Sequence, residues 1–304
     1  MAVLQELEQA IGQVAAGASG SLVGIGRGPG RGSGVVVAEG QVVTNAHNLR
    51  GEEATVVFAD GRSATGRVAG VDLDGDLAVL AVDTAGAPAI TWADADGVQV
   101  GTPVFALASP GGRTRVTFGT VSAVDRAFRG PRGRRITGSI EHTAPLARGS
   151  SGGPLVDAES RLVGLNTNRL GDGFYLALPA DAELRARVEA LGRGESPSRP
   201  RLGLGLAPAR VARHLRRAVG LPDREGLLVR VVEDGSPADR AGVRTGDLLV
   251  RAGERDLAST DDLYQALDSA AAGGMLVLGL VRGAEELTVE VHFADAGPTD
   301  VGSA

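Results

Sequence analysis

The feature that most limits how this chain can fold is its punctuation. Brief runs of Val, Leu, Ile and Ala are cut again and again by turns, and 46 of the 304 residues are glycine. Runs that brief fall short of the ~12–15 residues at which a helix begins to hold itself together. They match the length of strands. Many short strands joined by frequent turns indicate β-barrels or sandwiches. Strands are expected at 22–25, 34–38, 41–44, 54–59, 62–71, 77–82, 104–108, 117–124, 136–141, 155–157, 162–166 and 174–178. Gly28-Pro29-Gly30 breaks the series early, and Asp60-Gly61 is a strong hairpin signal.

Two helices frame this set. Val3, Leu4, Leu7, Ile11 and Val14 share a helical face within 1–19, and Leu184, Val188 and Leu191 do so within 181–191, before Gly192. The polar Gly/Ser/Pro stretch 193–200 reads as a linker. The expected organisation is therefore one unit at 1–192, a second at 201–294 and a loose tail at 295–304.

The formal net charge is −6 and every basic residue is arginine. A nucleic-acid partner calls for a basic excess or stripe, which the chain lacks. Segment 126–135 holds five arginines; it reads as a solvated loop, with an acidic partner the less favoured alternative. Without cysteine, disulfides and thiolate metal sites are excluded. Four histidines without short ligand spacing give no reason to expect a metal; nor is an organic cofactor expected. The first residues carry Glu6 and Glu8, no basic start and no continuous apolar segment, so they do not read as a signal peptide. No run approaches the ~20 apolar residues of a membrane span. Taken as the native start, this N-terminus predicts a cytoplasmic protein.

The sharpest chemical signal is Gly149-Ser150-Ser151-Gly152-Gly153-Pro154-Leu155. A nucleophilic serine needs a tight turn that exposes its hydroxyl beside converging backbone N–H groups, and glycines permit that approach. Upstream, Val42-Val43-Thr44-Asn45-Ala46-His47 sets a histidine just after an apolar strand. Asp72, Asp74 and Asp76 cluster just before the strand that starts at Leu77. The order His, Asp, Ser is that of trypsin-like enzymes, not of subtilisins or α/β-hydrolases.

On these residues the chain resembles the HtrA/Deg family of serine proteases. The matching pieces are GSGVVV (32–37), VVTNAH (42–47), DLAVLAV (76–82), VGTPVFALASPGG (100–112), FGTVSAV (118–124) and GSSGGPL (149–155), in the family's order. The resemblance implies a mainly β fold: a trypsin-like double six-stranded β-barrel followed by an α+β PDZ domain. It implies His47 as general base, Asp76 as the residue that orients it, and Ser151 as nucleophile. Asp72 and Asp74 are rivals for the second role; Asp76 directly abuts the strand, as in the family. The backbone N–H groups of Gly149 and Ser151 would form the oxyanion hole. His142 reads as a surface or structural residue, and His214 and His292 read as structural.

Trypsins place an acid six positions before the nucleophile, where this chain has Pro145, so cleavage after Arg or Lys is not expected. By resemblance, small or medium aliphatic residues would precede the scissile bond, in an apolar pocket lined by 165–168 and 174–178. An extended substrate would pair with the edge formed by Leu165, Asn166, Thr167 and Asn168. Arg148 and Arg169 lie near this pocket in sequence. Ser150 stands where a pancreatic zymogen carries an acid, so activation by N-terminal cleavage is unsupported. Where the family usually has Asp, Pro and Asn, this chain has Thr143, Arg148 and Ser150.

Beyond the linker, Leu202, Gly203 and Leu204 resemble the PDZ loop whose N–H groups capture a peptide's C-terminal carboxylate. The expected partners are unfolded or extended polypeptides, with peptide C-termini at the PDZ domain. Homo-oligomers are left open; the absence of aromatics from residues 1–20 speaks against the family's trimer. Two other functions compete with an endopeptidase: a chaperone-like or peptide-binding protein that uses the fold as a scaffold, and an esterase or amidase built on the same triad.

Overall fold

The structure of the protein is a computed structural model that describes residues 2–26, 32–93, 97–130, 133–197, 200–270 and 274–293. The Gly28-Pro29-Gly30 break, two residues of the arginine-rich 126–135 segment, Ser198-Arg199 of the linker and the 295–304 tail lie outside these residues. The chain divides into two compact units, 1–197 and 198–300.

The first unit opens with helix α1 (Ala2–Ser19) and then builds two closed barrels. Barrel one contains β1 (Leu22–Ile25), β2 (Gly32–Ala38), β3 (Gln41–Thr44), β4 (Glu53–Phe58), β5 (Ser63–Asp72) and β6 (Leu77–Ala81), in the order β1-β2-β3-β6-β5-β4. Barrel two contains β7 (Pro103–Ala108), β8 (Arg115–Arg129), β9 (Arg135–His142), β10 (Pro154–Val156), β11 (Leu162–Gly171) and β12 (Phe174–Pro179), in the order β10-β11-β12-β9-β8-β7. This is the double six-stranded barrel that the resemblance implies. The Asp60-Gly61 signal is realised as a hairpin in which Val57 faces Ser63.

Two strands outrun their expected ends. β11 continues past Asn166 to Gly171 and β8 continues to Arg129. The sequence pattern tracks burial, and these extensions are largely exposed. They persist through pairing: Arg169 faces Tyr175 on β12, and Arg129 faces Arg135 on β9.

One apolar cluster joins the barrels. Val35, Val43, Leu77 and Val79 from the first meet Phe105, Leu107, Leu162 and Leu165 from the second. Each fully buried side chain of this size contributes about 1.5–3 kcal/mol. Helix α2 (Ala182–Gly192) adds Leu184, Val188 and Leu191 to the cluster. Asp181 caps it by accepting from the Leu184 N–H at 2.8 Å, a contact of about 1 kcal/mol. Only the second half of α1 packs inward: Val14 and Ala18 are buried, whereas Val3 and Leu4 are exposed.

The second unit is a mixed α/β domain. Its sheet runs β13 (Leu204–Ala207), β14 (Leu227–Val232), β15 (Leu248–Ala252), β17 (Met275–Arg282) and β18 (Glu285–His292), with β16 (Arg255–Asp256) beside β15. Helices α3 (Ala209–Ala218), α4 (Pro237–Arg240) and α5 (Thr260–Ala270) complete it. α5 buries Leu263, Ala266, Leu267 and Ala270 in a cluster with Leu202, Leu227 and Leu249. Among the described residues no helix is long and apolar enough to cross a membrane.

Candidate active site

Barrel one supplies a histidine and an aspartate. β3 ends at Thr44, and the chain turns through one short 3₁₀ helix, Ala46–Asn48, which carries His47 to the rim with its side chain 35% exposed. Asp76 sits immediately before β6 in left-handed backbone conformation (φ 53°) and is 2% exposed. That conformation is costly for a residue with a Cβ, and such strain gathers at functional sites.

The Asp76 carboxylate is fully engaged. His47 Nδ1 lies 2.9 and 2.8 Å from its two oxygens, and the His47 backbone N–H donates to Oδ1 at 3.1 Å. The Thr167 hydroxyl donates to Oδ2 at 2.9 Å. Asn45 holds the Asp76 carbonyl at 2.9 Å. With the imidazole proton on Nδ1, facing the carboxylate, Nε2 is left as the acceptor that a general base requires. The rival aspartates are occupied elsewhere: Asp72 pairs with Arg187 at 2.8 Å and Asp74 with Arg134 at 3.2 Å.

Barrel two supplies the serine. The loop before β10 turns through Gly149 and Gly152, both at positive φ (85° and 83°). A Cβ on Gly152 would lie 2.2 Å from the Ser33 carbonyl oxygen, and one on Gly153 would lie 2.2 Å from that of Leu107. Only glycine lets this loop press so closely on β2 and β7. The Ser151 hydroxyl donates to the Thr167 carbonyl at 3.0 Å. The Ser150 carbonyl accepts from the Gly153 N–H at 3.0 Å, which turns the N–H of Ser151 away from that contact. Among the described residues, no protein acceptor takes the N–H of Gly149 or Ser151.

A polar staple locks this loop to barrel one. Ser33 Oγ donates to the Gly149 carbonyl at 2.7 Å and accepts from the Ser109 N–H at 2.9 Å. The Ser33 N–H and Asn48 Nδ2 both donate to the Ser151 carbonyl at 2.9 Å. Sequence reasoning did not single out Ser33, Asn48 or the Thr167 hydroxyl for these tasks. Their only signal is position: Ser33 lies inside the matched GSGVVV piece and Asn48 directly follows VVTNAH.

The expected substrate edge is displaced along β11. Leu165 is fully buried and paired on both sides, to Pro154 and to Leu178. Asn166 is fully buried too; its N–H and C=O bond Gly153 and Gly152, and its amide holds the Gly153 and Pro154 carbonyls. Neither residue can pair with a substrate. The Thr167 hydroxyl is committed to Asp76 and its carbonyl accepts from Ser151, while Asn168 beyond it is exposed. A cleft of about 470 Å³ opens here, bounded by His47, Ser151, Asn168 and Tyr175. Of 174–178, only Tyr175 reaches it. Pro145 stands exposed, its carbonyl bonded to Thr117 at 2.8 Å.

His142 is not at the surface. It is fully buried, stacked on Tyr175 with ring centres 5.9 Å apart, and bonded through Nε2 to Asn166 at 3.1 Å. Burial pushes its imidazole down to about 4, against a smaller upward pull from Asn166.

In the second unit, β13 is an edge strand whose outer side carries no partner strand among the described residues. Leu204 and Leu206 lie half-buried against the α5 cluster. Gly203 has φ 75°, and a Cβ there would lie 2.3 Å from Ser236 Cβ. The Gly203 carbonyl accepts from the Glu233 N–H at 2.9 Å. This layout offers an extended peptide an open strand edge.

Two barrels that bring His, Asp and Ser to one cleft, followed by a domain with an open strand edge, define the class of trypsin-like serine hydrolases with a peptide-binding module. Comparison with known proteins agrees. Residues 32–165 match the trypsin-like peptidase domain and residues 200–293 the PDZ domain. A Halomonas elongata protein named "Probable periplasmic serine endoprotease DegP-like" is 31% identical over 87% of this chain and 56% of its own length. HhoA of Synechocystis, a serine protease by name, is 31% identical over 87% of this chain and 71% of its own. The solved structure of the HtrA-type protease AlgW with a decapeptide covers 95% of this chain and 99% of its own at TM-score 0.64 and 22% identity, a likeness of fold. The chain belongs to the HtrA family of trypsin-like serine proteases, with one PDZ domain. It spans 55–59% of three DegP-like relatives. Those three are named periplasmic, which overturns the cytoplasmic placement expected from the N-terminus.

Proposed function

We propose that the protein is a serine endopeptidase that cuts unfolded or extended polypeptides. The observation that carries this reading is the bidentate hold of Asp76 on His47 Nδ1, in the same cleft as Ser151. In this reading the Ser151 hydroxyl turns from the Thr167 carbonyl toward His47 Nε2, which takes its proton as the oxygen attacks the scissile carbonyl. Asp76 fixes the tautomer and stabilises the imidazolium. The N–H groups of Gly149 and Ser151 receive the oxyanion, each donor being worth about 3 kcal/mol in the transition state. His47 then protonates the leaving amine, and water releases the acyl group by the same route.

The open edge of β13 would hold a peptide C-terminus, with the 202–204 loop at its carboxylate, and so recruit substrate or regulate cleavage. A relative that is 25% identical, AlgW, was solved with a tripeptide, which supports a polypeptide ligand. The test is casein cleavage by the intact chain and by Ser151→Ala. Triad loss typically lowers kcat by about a millionfold. Cutting that depends on Ser151 is the expected result. An inert native chain that still binds unfolded protein would favour the scaffold alternative, and turnover of esters alone would favour an esterase.

A further inference from the structure

The cleft beside Ser151 is unusually cationic for a chain of net charge −6. Arg129, Arg148 and Arg169 all line it, and each is exposed. Among the described lining residues the only carboxylate is Asp76, which is buried and already committed to His47 and Thr167.

The three arginines come from different segments of the second barrel and line the same cleft as His47 and Ser151. Arg148 directly precedes Gly149 and so stands next to the candidate oxyanion site. Arg169 lies two residues beyond Thr167 on β11; its guanidinium sits 5.6 Å over the Tyr175 ring and donates to the Leu146 carbonyl. It therefore spans the cleft between its two walls and has further N–H groups to offer. Arg129 closes β8 and is oriented by the Gly133 carbonyl at 2.8 Å. Guanidinium groups present planar donor forks that match carboxylates in a bidentate fashion. A cleft lined by one sign of charge, with low-dielectric walls, focuses its field on whatever binds there.

We infer that this protease selects polypeptide segments that carry aspartate or glutamate within two residues of the scissile bond, through Arg148 and Arg169. The inference rests on the proteolytic reading and narrows its substrate class. A small aliphatic side chain can still sit against Leu146 and Ala147 while a neighbouring carboxylate meets the arginine rim. Because the rim is solvent-exposed, the effect is moderate and salt-sensitive.

The experiment uses the full chain and a set of quenched-fluorescence peptides, identical except that one glutamate, or the matching glutamine, occupies each of the two positions on either side of the cut. At low salt, kcat/KM for the best glutamate peptide should exceed that of its glutamine twin by about tenfold, shrinking toward parity near 1 M salt. Arg148→Gln and Arg169→Gln should each lower this ratio, and the double variant should bring it close to one. A parallel anisotropy titration of the same peptides on Ser151→Ala reads the preference without catalysis. A ratio of one in both assays, or a ratio that neither substitution moves, overturns the inference even if Ser151-dependent cleavage stands. Loss of all cleavage with glutamate-selective binding intact would sink the proteolytic reading and leave the arginine site standing.

Discussion

Replacing Asp76 by asparagine separates chemistry from folding at this site. The His47 backbone N–H donates to Oδ1 at 3.1 Å, so an amide keeps its oxygen at that position and places its NH₂ group at the Oδ2 position, 2.8 Å from Nδ1. A donor facing a donor is unfavourable, so the imidazole moves its proton to Nε2. Nε2 then cannot accept the Ser151 proton. The negative charge that steadies the imidazolium is also gone. Tautomer loss of this kind lowers kcat by about 10⁴-fold, or roughly 5.5 kcal/mol of transition-state stabilisation. The fold should notice much less, since asparagine is nearly isosteric and Thr167 can reverse its hydroxyl to accept from the amide. The comparison pair is Asp72→Asn, which weakens the 2.8 Å pairing with Arg187 on α2 at a residue 4% exposed. It should lower stability by about 1–3 kcal/mol and leave the chemical step within a few-fold. The assays are kcat on a cleavable peptide and the urea midpoint for each variant. If Asp72→Asn lost as much kcat as Asp76→Asn, or if Asp76→Asn kept a tenth of native kcat, the assigned role would be wrong.

Two further outcomes follow from single residues. His142 is neutral and buried in the native state, with its imidazole pushed down to about 4 from an ordinary 6.5. Below pH 6.5 the unfolded chain takes up a proton that the folded chain refuses, so stability should fall between about pH 6.5 and 4, by roughly 3 kcal/mol, and then level off. Urea titrations at several pH values should show this slope in the native chain and a clearly shallower one in His142→Gln; equal slopes would refute the burial argument. In the second unit, Gly203→Ala must place a Cβ 2.3 Å from Ser236 Cβ at φ 75°. A loss of about 2 kcal/mol or more is expected, together with weaker binding of a C-terminal peptide; an unchanged melting profile would count against the close approach.

The parts of this protein that could be read from its sequence are those carried by local chemistry. Short runs broken by glycine turns mark strands, and GSSGGP needs its glycines because backbone presses on backbone at Gly152 and Gly153. What could not be read depends on contacts between distant positions. Thr167 bonds Asp76 across 91 residues and Ser33 bonds Gly149 across 116, and nothing in either neighbourhood announces the partner. Leu165 and Asn166 were expected at an open edge and are buried for a related reason. The apolar pattern ends at Asn166, yet β11 runs on as an exposed strand held by β12. The sequence leaves His142 open between a surface and a structural role; the aromatic ring of Tyr175 and the amide of Asn166 make its burial tolerable.

The site is divided between two barrels, and that division sets its weak point. His47 and Asp76 ride on barrel one and Ser151 on barrel two, so their register depends on the interface between the barrels. No disulfide can fasten that interface, because the chain has no cysteine. The apolar cluster that joins the barrels supplies adhesion without direction. Direction comes from Ser33 and Asn48, whose bonds fix the Gly149 and Ser151 carbonyls against β2 and the His47 turn. Each bond carries about 1 kcal/mol of net stability, small against the whole fold. Its larger effect is on geometry, since a misplacement of about 1 Å can cost a hundredfold in rate. Removing the Ser33 hydroxyl therefore bears more heavily on kcat than on folding, which is how a positioning contact differs from a core contact in the same interface.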